Sequence, residues 1–180
     1  MNINTGTNNL IRHAEWLRGV IICSFGHVDF LLTDLNMRCR LLPEYAEVTS
    51  GPSRSLNSTI TRTKKLFETT GPLNAYAEEM LALIERIRVY EDARHYIVRG
   101  QMVVNTGDTA LAPIMFQVYQ NGRKDEPEKL KAIPSDAHQL EKLSLEITEY
   151  CRQMMILLER INREQFYGST YAQSPPSQLH

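Results

Sequence analysis

Apolar residues recur at steps of three and four along most of this chain, and at steps of two over one short stretch. Over residues 11–42, Leu17, Ile21, Ser24, Val28, Leu32, Leu35 and Cys39 share one face, the mark of an amphipathic helix. Pro43 ends it, because proline has no N–H to continue the ladder. Thr49-Ser50-Gly51-Pro52-Ser53 reads as a loop. A second helix begins at Ser53 or Ser55 and runs to Thr69, with Leu56, Ile60, Lys64 and Phe67 as a thin stripe. Gly71-Pro72 stops it and restarts a third over residues 73–98, which carries Leu73, Ala77, Met80, Ile84, Ile87, Glu91, Arg94 and Val98 on one face and Gly100 as its C-terminal cap. The period then shortens. Residues 101–105 and 113–119 are rich in Val, Ile, Phe and Tyr and predict an antiparallel hairpin over about 101–120. Thr106-Gly107-Asp108-Thr109 joins its strands, Asn121-Gly122 follows, and Pro113 and Pro127 keep it to an edge. A last helix over residues 135–167 is capped by Ser135 or Asp136 and lined by Leu140, Leu143, Ile147, Tyr150, Cys151, Met154, Leu157, Leu158 and Ile161.

The expected fold is therefore mainly α: a four-helix bundle with a small β-hairpin inserted before the last helix. A lone hairpin is marginally stable and must lean on the helices. Residues 10–167 form one domain, residues 1–9 a flexible start, and the Ser/Gln/Pro-rich residues 168–180 a disordered tail.

Composition removes several function classes. A net charge of −1 and a pI near 6.5 give no global pull toward nucleic acid or an anionic membrane, so a charged site must be local. Cys23, Cys39 and Cys151 show no CxxC spacing and read as reduced thiols of a cytoplasmic protein. The most apolar run, residues 19–35, holds Gly26, His27, Asp29 and Asp34, which argues for a buried helix and against a membrane span. The start of the chain lacks the order of a signal peptide. Without a phosphate-binding loop, GxGxxG, GxSxG, DNA-binding motif or metal-spaced cluster, no cofactor or metal is expected. Arg54, Arg62, Lys64 and Lys65 read as a solvated face, His13, Trp16 and His138 as isolated packing or surface residues, and Ser53, Ser55 and Ser58 as caps.

The third helix carries polar residues where a bundle wants apolar ones. Glu91 and Arg94 fall near the middle of its inward face, three apart, with Arg88, Asp92, His95 and Arg99 on the adjoining flank. Breaking a buried ion pair costs roughly 3–5 kcal/mol, so an inward Arg94 needs a carboxylate, an interface or a ligand. Glu91 is the nearest carboxylate and Asp29 of the first helix another. One reading is a structural ion pair. The other is that Arg94, His95, Arg99 and Arg88 bind a phosphate-bearing partner, since the guanidinium fork donates two hydrogen bonds at once.

Arg94-His95-Tyr96-Ile97-Val98-Arg99-Gly100 resembles the motif of the HEPN superfamily, helical nucleotide-binding and ribonuclease domains that carry Arg, a polar residue, a short spacer, His and often Gly. Phe25-Gly26-His27-Val28-Asp29 is similar to an acidic position in the first helix of related bacterial proteins. The resemblance implies a homodimer packed through its motif helices, a partner that is RNA or protein, and a bacterial defence or mobile-element setting. Family ribonucleases cleave RNA without metal using the Arg and the His. Here Arg99 stands at the His position, and arginine cannot shuttle a proton near neutral pH. The resemblance thus implies a catalytically impaired binding module. A metal-independent ribonuclease using Arg94 and His95, or the shifted pair Arg88 and His95, is the alternative, with a purely structural oligomerisation protein beside it.

Overall fold

The inward stripe of the first helix sets the architecture. In the computed structural model, which describes residues 5–51, 55–105, 112–120 and 129–167, helix α1 runs Thr5–Cys39 and buries Leu17, Ile21, Val28, Leu32, Leu35 and Cys39. The other helices are α2 (Leu56–Glu68), α3 (Ala77–Val89), α4 (Glu91–Arg99) and α5 (Ala137–Ile161), with strands β1 (Gln101–Val104), β2 (Ile114–Gln120) and β3 (Lys129–Ser135) before α5. The protein is mainly helical with a small three-stranded antiparallel sheet. Residues 1–4, Pro52-Ser53-Arg54, Thr106-Gly107-Asp108-Thr109, Asn121-Gly122, Pro127 and the tail 168–180 lie outside the described residues.

The chain divides into two compact units, residues 1–26 with 88–149 and residues 27–87 with 150–180. The first holds α4, the sheet and the N-terminal part of α5. Its β2 is central, in the order β1-β2-β3, with Met102 opposite Phe116 and Phe116 opposite Ile133. Ile114, Phe116 and Val118 are buried, as period two requires when one face meets a core. The expected hairpin is therefore a three-stranded sheet. Sequence misses β3 because it alternates weakly, Lys-Leu-Lys-Ala-Ile-Pro-Ser, and Pro134 is tolerated only because the strand is an edge.

The second unit holds α2, α3 and the C-terminal part of α5, two 3-10 turns (Pro43–Tyr45 and Pro72–Tyr76) and a π-helical end at Asn162–Tyr167. Ser55 caps α2: its hydroxyl accepts from the Ser58 N–H at 3.2 Å, and the Ser58 hydroxyl accepts from the Ser55 N–H at 3.1 Å. Asp136 caps α5 in the first unit, accepting from the Gln139 N–H at 2.7 Å. The α2 stripe includes Thr59 and Thr63, both buried, because Asn36 donates to Thr63 Oγ1 at 2.8 Å and to the Leu32 carbonyl at 2.6 Å. Tyr45 is fully buried, and its hydroxyl accepts from the Leu73 N–H at 2.9 Å. A Cβ on Gly71 would lie 2.6 Å from that hydroxyl, so the glycine is dictated by close approach.

Two element boundaries differ from expectation. Residues 5–9, expected to be flexible, form the first turns of α1, where Asn8 and Asn9 are exposed and no apolar period marks the helix. The third helix is not one helix over 73–98. It breaks at Tyr90 (φ −95°, ψ 0°) into α3 and α4. The break ends the periodicity that set Glu91 and Val98 on the Ile87 face, and Ile87 and Ile97 are buried in separate units. Glu91 is accordingly exposed, and so is Val98.

By length and composition, Asn8–Cys39 of α1 is long and apolar enough to cross a membrane, and 39% of its apolar window is buried within the fold. That is the mark of a helix with one covered face and one bare face.

Candidate functional site

Of the site residues picked from the sequence, Arg88 lies at the end of α3 and Arg94, His95 and Arg99 lie on α4. Two acidic residues in its first turn, Glu91 and Asp92, and Arg99 in its last complement the helix dipole. Ile97 is the buried anchor. Arg94 is half-buried, while Arg88, Glu91, His95 and Arg99 are exposed. Among the described residues the Arg94 side chain makes no hydrogen bond or ion pair, so the expected Arg94–Glu91 pair is absent; only the Arg94 backbone N–H is tied down, to the Tyr90 carbonyl at 2.8 Å. Asp29, the other proposed carboxylate, is half-buried on the part of α1 that belongs to the second unit.

Two side chains that the periodicity did not single out hold this helix. Arg18 donates from Nε to the Ile97 carbonyl at 2.9 Å and from Nη2 to the Gly100 carbonyl at 2.7 Å. These are carbonyls that a helix end leaves without partners, and a cation there also meets the negative end of the dipole. Gly100 does not adopt the left-handed conformation expected of a capping glycine; its φ is −76° and ψ 149°. Glycine is needed instead because a Cβ would press on the Tyr96 carbonyl and lie 3.0 Å from Val118 of β2. Lys131 of β3 donates to the Tyr96 hydroxyl at 2.9 Å and sits 5.3 Å from the ring centroid. That hydroxyl, and more weakly Asp92, raise the Lys131 pKa, so the ammonium stays charged. The His95 ring meets Tyr96 edge-on at 5.5 Å. Sequence gives no local signal for Arg18, which lies 79 residues from Ile97, or for Lys131, which sits on the strand that alternation fails to reveal.

An arginine can hold an anion but cannot transfer a proton near neutral pH. Arg94 and His95 are adjacent, so they leave the helix about 100° apart and do not face a common atom. Arg88 and His95 lie on different helices, so the seven-residue spacing no longer aligns them. Arg94, Arg99 and Lys131 supply cations, and Tyr96 with His95 supplies aromatic edges. His13, read as isolated, bonds Glu141 at 2.7 Å and stacks on Trp16. Among the described residues no group of three or more metal-binding side chains occurs.

Because Arg18 closes the end of α4, Arg18→Met should lower stability by about 2 kcal/mol, the usual worth of hydrogen bonds from a charged donor. Urea unfolding of the variant checks this, and an unchanged midpoint would show that the contact is incidental. The chain matches no protein-family model, no curated protein and no solved structure.

Proposed function

We propose that this protein is an RNA-binding module, HEPN-like in plan, that grips the ribose-phosphate backbone along α4 without cleaving it. The observation that carries the reading is Arg94, a half-buried guanidinium with no hydrogen-bond or ion-pair partner among the described residues. A cation that has given up part of its hydration and gained no internal partner is poised for an external anion. Tyr96 and His95 offer ring surface to unstacked bases, which favours single-stranded RNA. On this reading the helices form an antiparallel four-helix bundle, the protein works in the cytoplasm, and two copies associate. Arg99 at the position where the family places histidine fits binding without proton transfer.

Fluorescence anisotropy with a labelled single-stranded RNA tests the site. Arg94→Ala should weaken binding about tenfold, and each phosphate contact removed should lower the salt slope by about 0.7. Absence of binding at low salt, or full affinity in the Arg94→Ala protein, overturns the reading. Incubation in EDTA should leave the RNA intact.

A further inference from the structure

Two stripes of equal spacing line one pocket within the second unit. On α3 they are Glu79, Ala82, Leu83 and Arg86; on α5, Gln153, Ile156, Leu157 and Arg160 repeat the same steps. The two helices run antiparallel here. Arg160 bonds Glu79 at one end of the pocket, and Arg86 donates to Gln153 Oε1 at 2.6 Å at the other. The space between them is about 330 Å³, within the range of small-molecule sites. Leu83 and Leu157 are buried and Ala82 is exposed, so the middle of the pocket is apolar. Ile156 is 54% exposed beside it, a large apolar side chain without cover.

The two polar ends differ in charge. Arg160 and Glu79 neutralise each other. Arg86 bonds a neutral amide and, among the described residues, has no carboxylate within ion-pair reach. The pocket is therefore lined by two cations and one anion, and one negative charge would complete it. Arg86 is also held ready. Its guanidinium lies 5.6 Å from the ring centroid of Tyr150, which is buried and donates from its hydroxyl to the Leu83 carbonyl at 3.0 Å. A guanidinium already fixed in place loses little freedom when an anion arrives.

We propose that this pocket binds a small unbranched monocarboxylate, a medium-chain fatty acid anion. Its carboxylate takes the fork of Arg86, and its chain lies over Leu83 and Leu157 toward the Glu79–Arg160 pair. The single charge follows from the balance of the lining. The length follows from the helices: the two polar ends stand seven residues apart on each, about 10 Å at 1.5 Å per residue, which a chain of about eight carbons spans. A neutral ligand would cover Arg86 without giving it an acceptor, and a cationic one would meet it with like charge. The site lies wholly in the second unit and does not depend on RNA binding.

Isothermal titration of the full chain with sodium octanoate tests this, with thermal unfolding as a second readout. Octanoate should bind saturably and raise the unfolding midpoint, while 1-octanol and octylamine bind at least about tenfold more weakly. Arg86→Gln should weaken octanoate about tenfold and leave octanol unchanged. Ala82→Trp should fill the pocket and abolish binding. Both positions are exposed, so each variant should unfold at the wild-type midpoint without ligand. No saturable binding by about 10 mM octanoate overturns the proposal. So does octanol binding as tightly as octanoate, which would leave Arg86 without a role. Full octanoate affinity in either variant would place the ligand elsewhere and overturn this site. A wild-type dimer in sedimentation velocity that Ala82→Trp takes apart would assign the pocket to a second copy, and overturns it too.

Discussion

Replacing Tyr45 with alanine should lower the unfolding free energy by about 4 kcal/mol, the range for truncating a fully buried aromatic side chain. Two effects add at this position. The ring is 0% exposed, so its loss leaves a cavity among Cys39, Gly71 and Leu73. The hydroxyl accepts from the Leu73 N–H, so its loss also leaves a buried donor without a partner. Tyr45→Phe isolates the second effect and should cost about 1–2 kcal/mol, the penalty for a stranded backbone donor. Gly71→Ala tests the same contact from the other side, since its Cβ would occupy the space of the tyrosine oxygen. Urea titrations followed by circular dichroism measure all three. A loss below about 1 kcal/mol for the alanine variant would mean that the 3-10 turn does not anchor its unit, because a well-packed aromatic cannot be removed so cheaply.

Alkaline pH should destabilise the protein in a window set by Cys39. Burial raises its thiol from 9.0 to about 12. A thiol is neutral when protonated, so the folded state holds the proton after the unfolded chain has released it. Below pH 9 both states are protonated and the group has no effect on stability. Between pH 9 and about 12 the unfolded state binds fewer protons, and stability falls by roughly 1.4 kcal/mol per pH unit, or roughly 3 kcal/mol by pH 11. Cys151 and Tyr45, also raised by burial, add slope of the same sign above their ordinary values. Chemical denaturation at a series of pH values gives the curve. Cys39→Ala should flatten it by one proton, and an unaltered slope would place the effect elsewhere.

Much of the helical framework is legible in the sequence because its cause is local. The α1 and α5 stripes predict the buried residues almost position by position: Leu17 through Cys39, and Leu140 through Ile161. The Ser55 cap and the restart at Pro72 follow from residue chemistry alone. What the sequence hides has distant causes. The break at Tyr90 leaves no mark in the apolar period, and periodicity read through it puts Glu91 and Val98 inside when both are exposed. Thr59 and Thr63 look like surface until Asn36, from another helix, gives Thr63 a partner. Strand β3 draws its order from pairing with β2 more than from its own alternation. At the candidate site, Arg94, His95 and Arg99 could be named from the motif. Their support by Arg18 and the company of Lys131 could not, since both arrive through tertiary folding.

The brevity of α4 has a consequence for whatever that surface does. Nine residues fall short of the roughly 12–15 at which an isolated helix holds in water. Its order is conditional, lent by Ile97 beneath and by Arg18 clasping its end. The surface can therefore be dissolved from behind: loosening one arginine on a different helix would melt it while leaving each of its own charged side chains in the sequence.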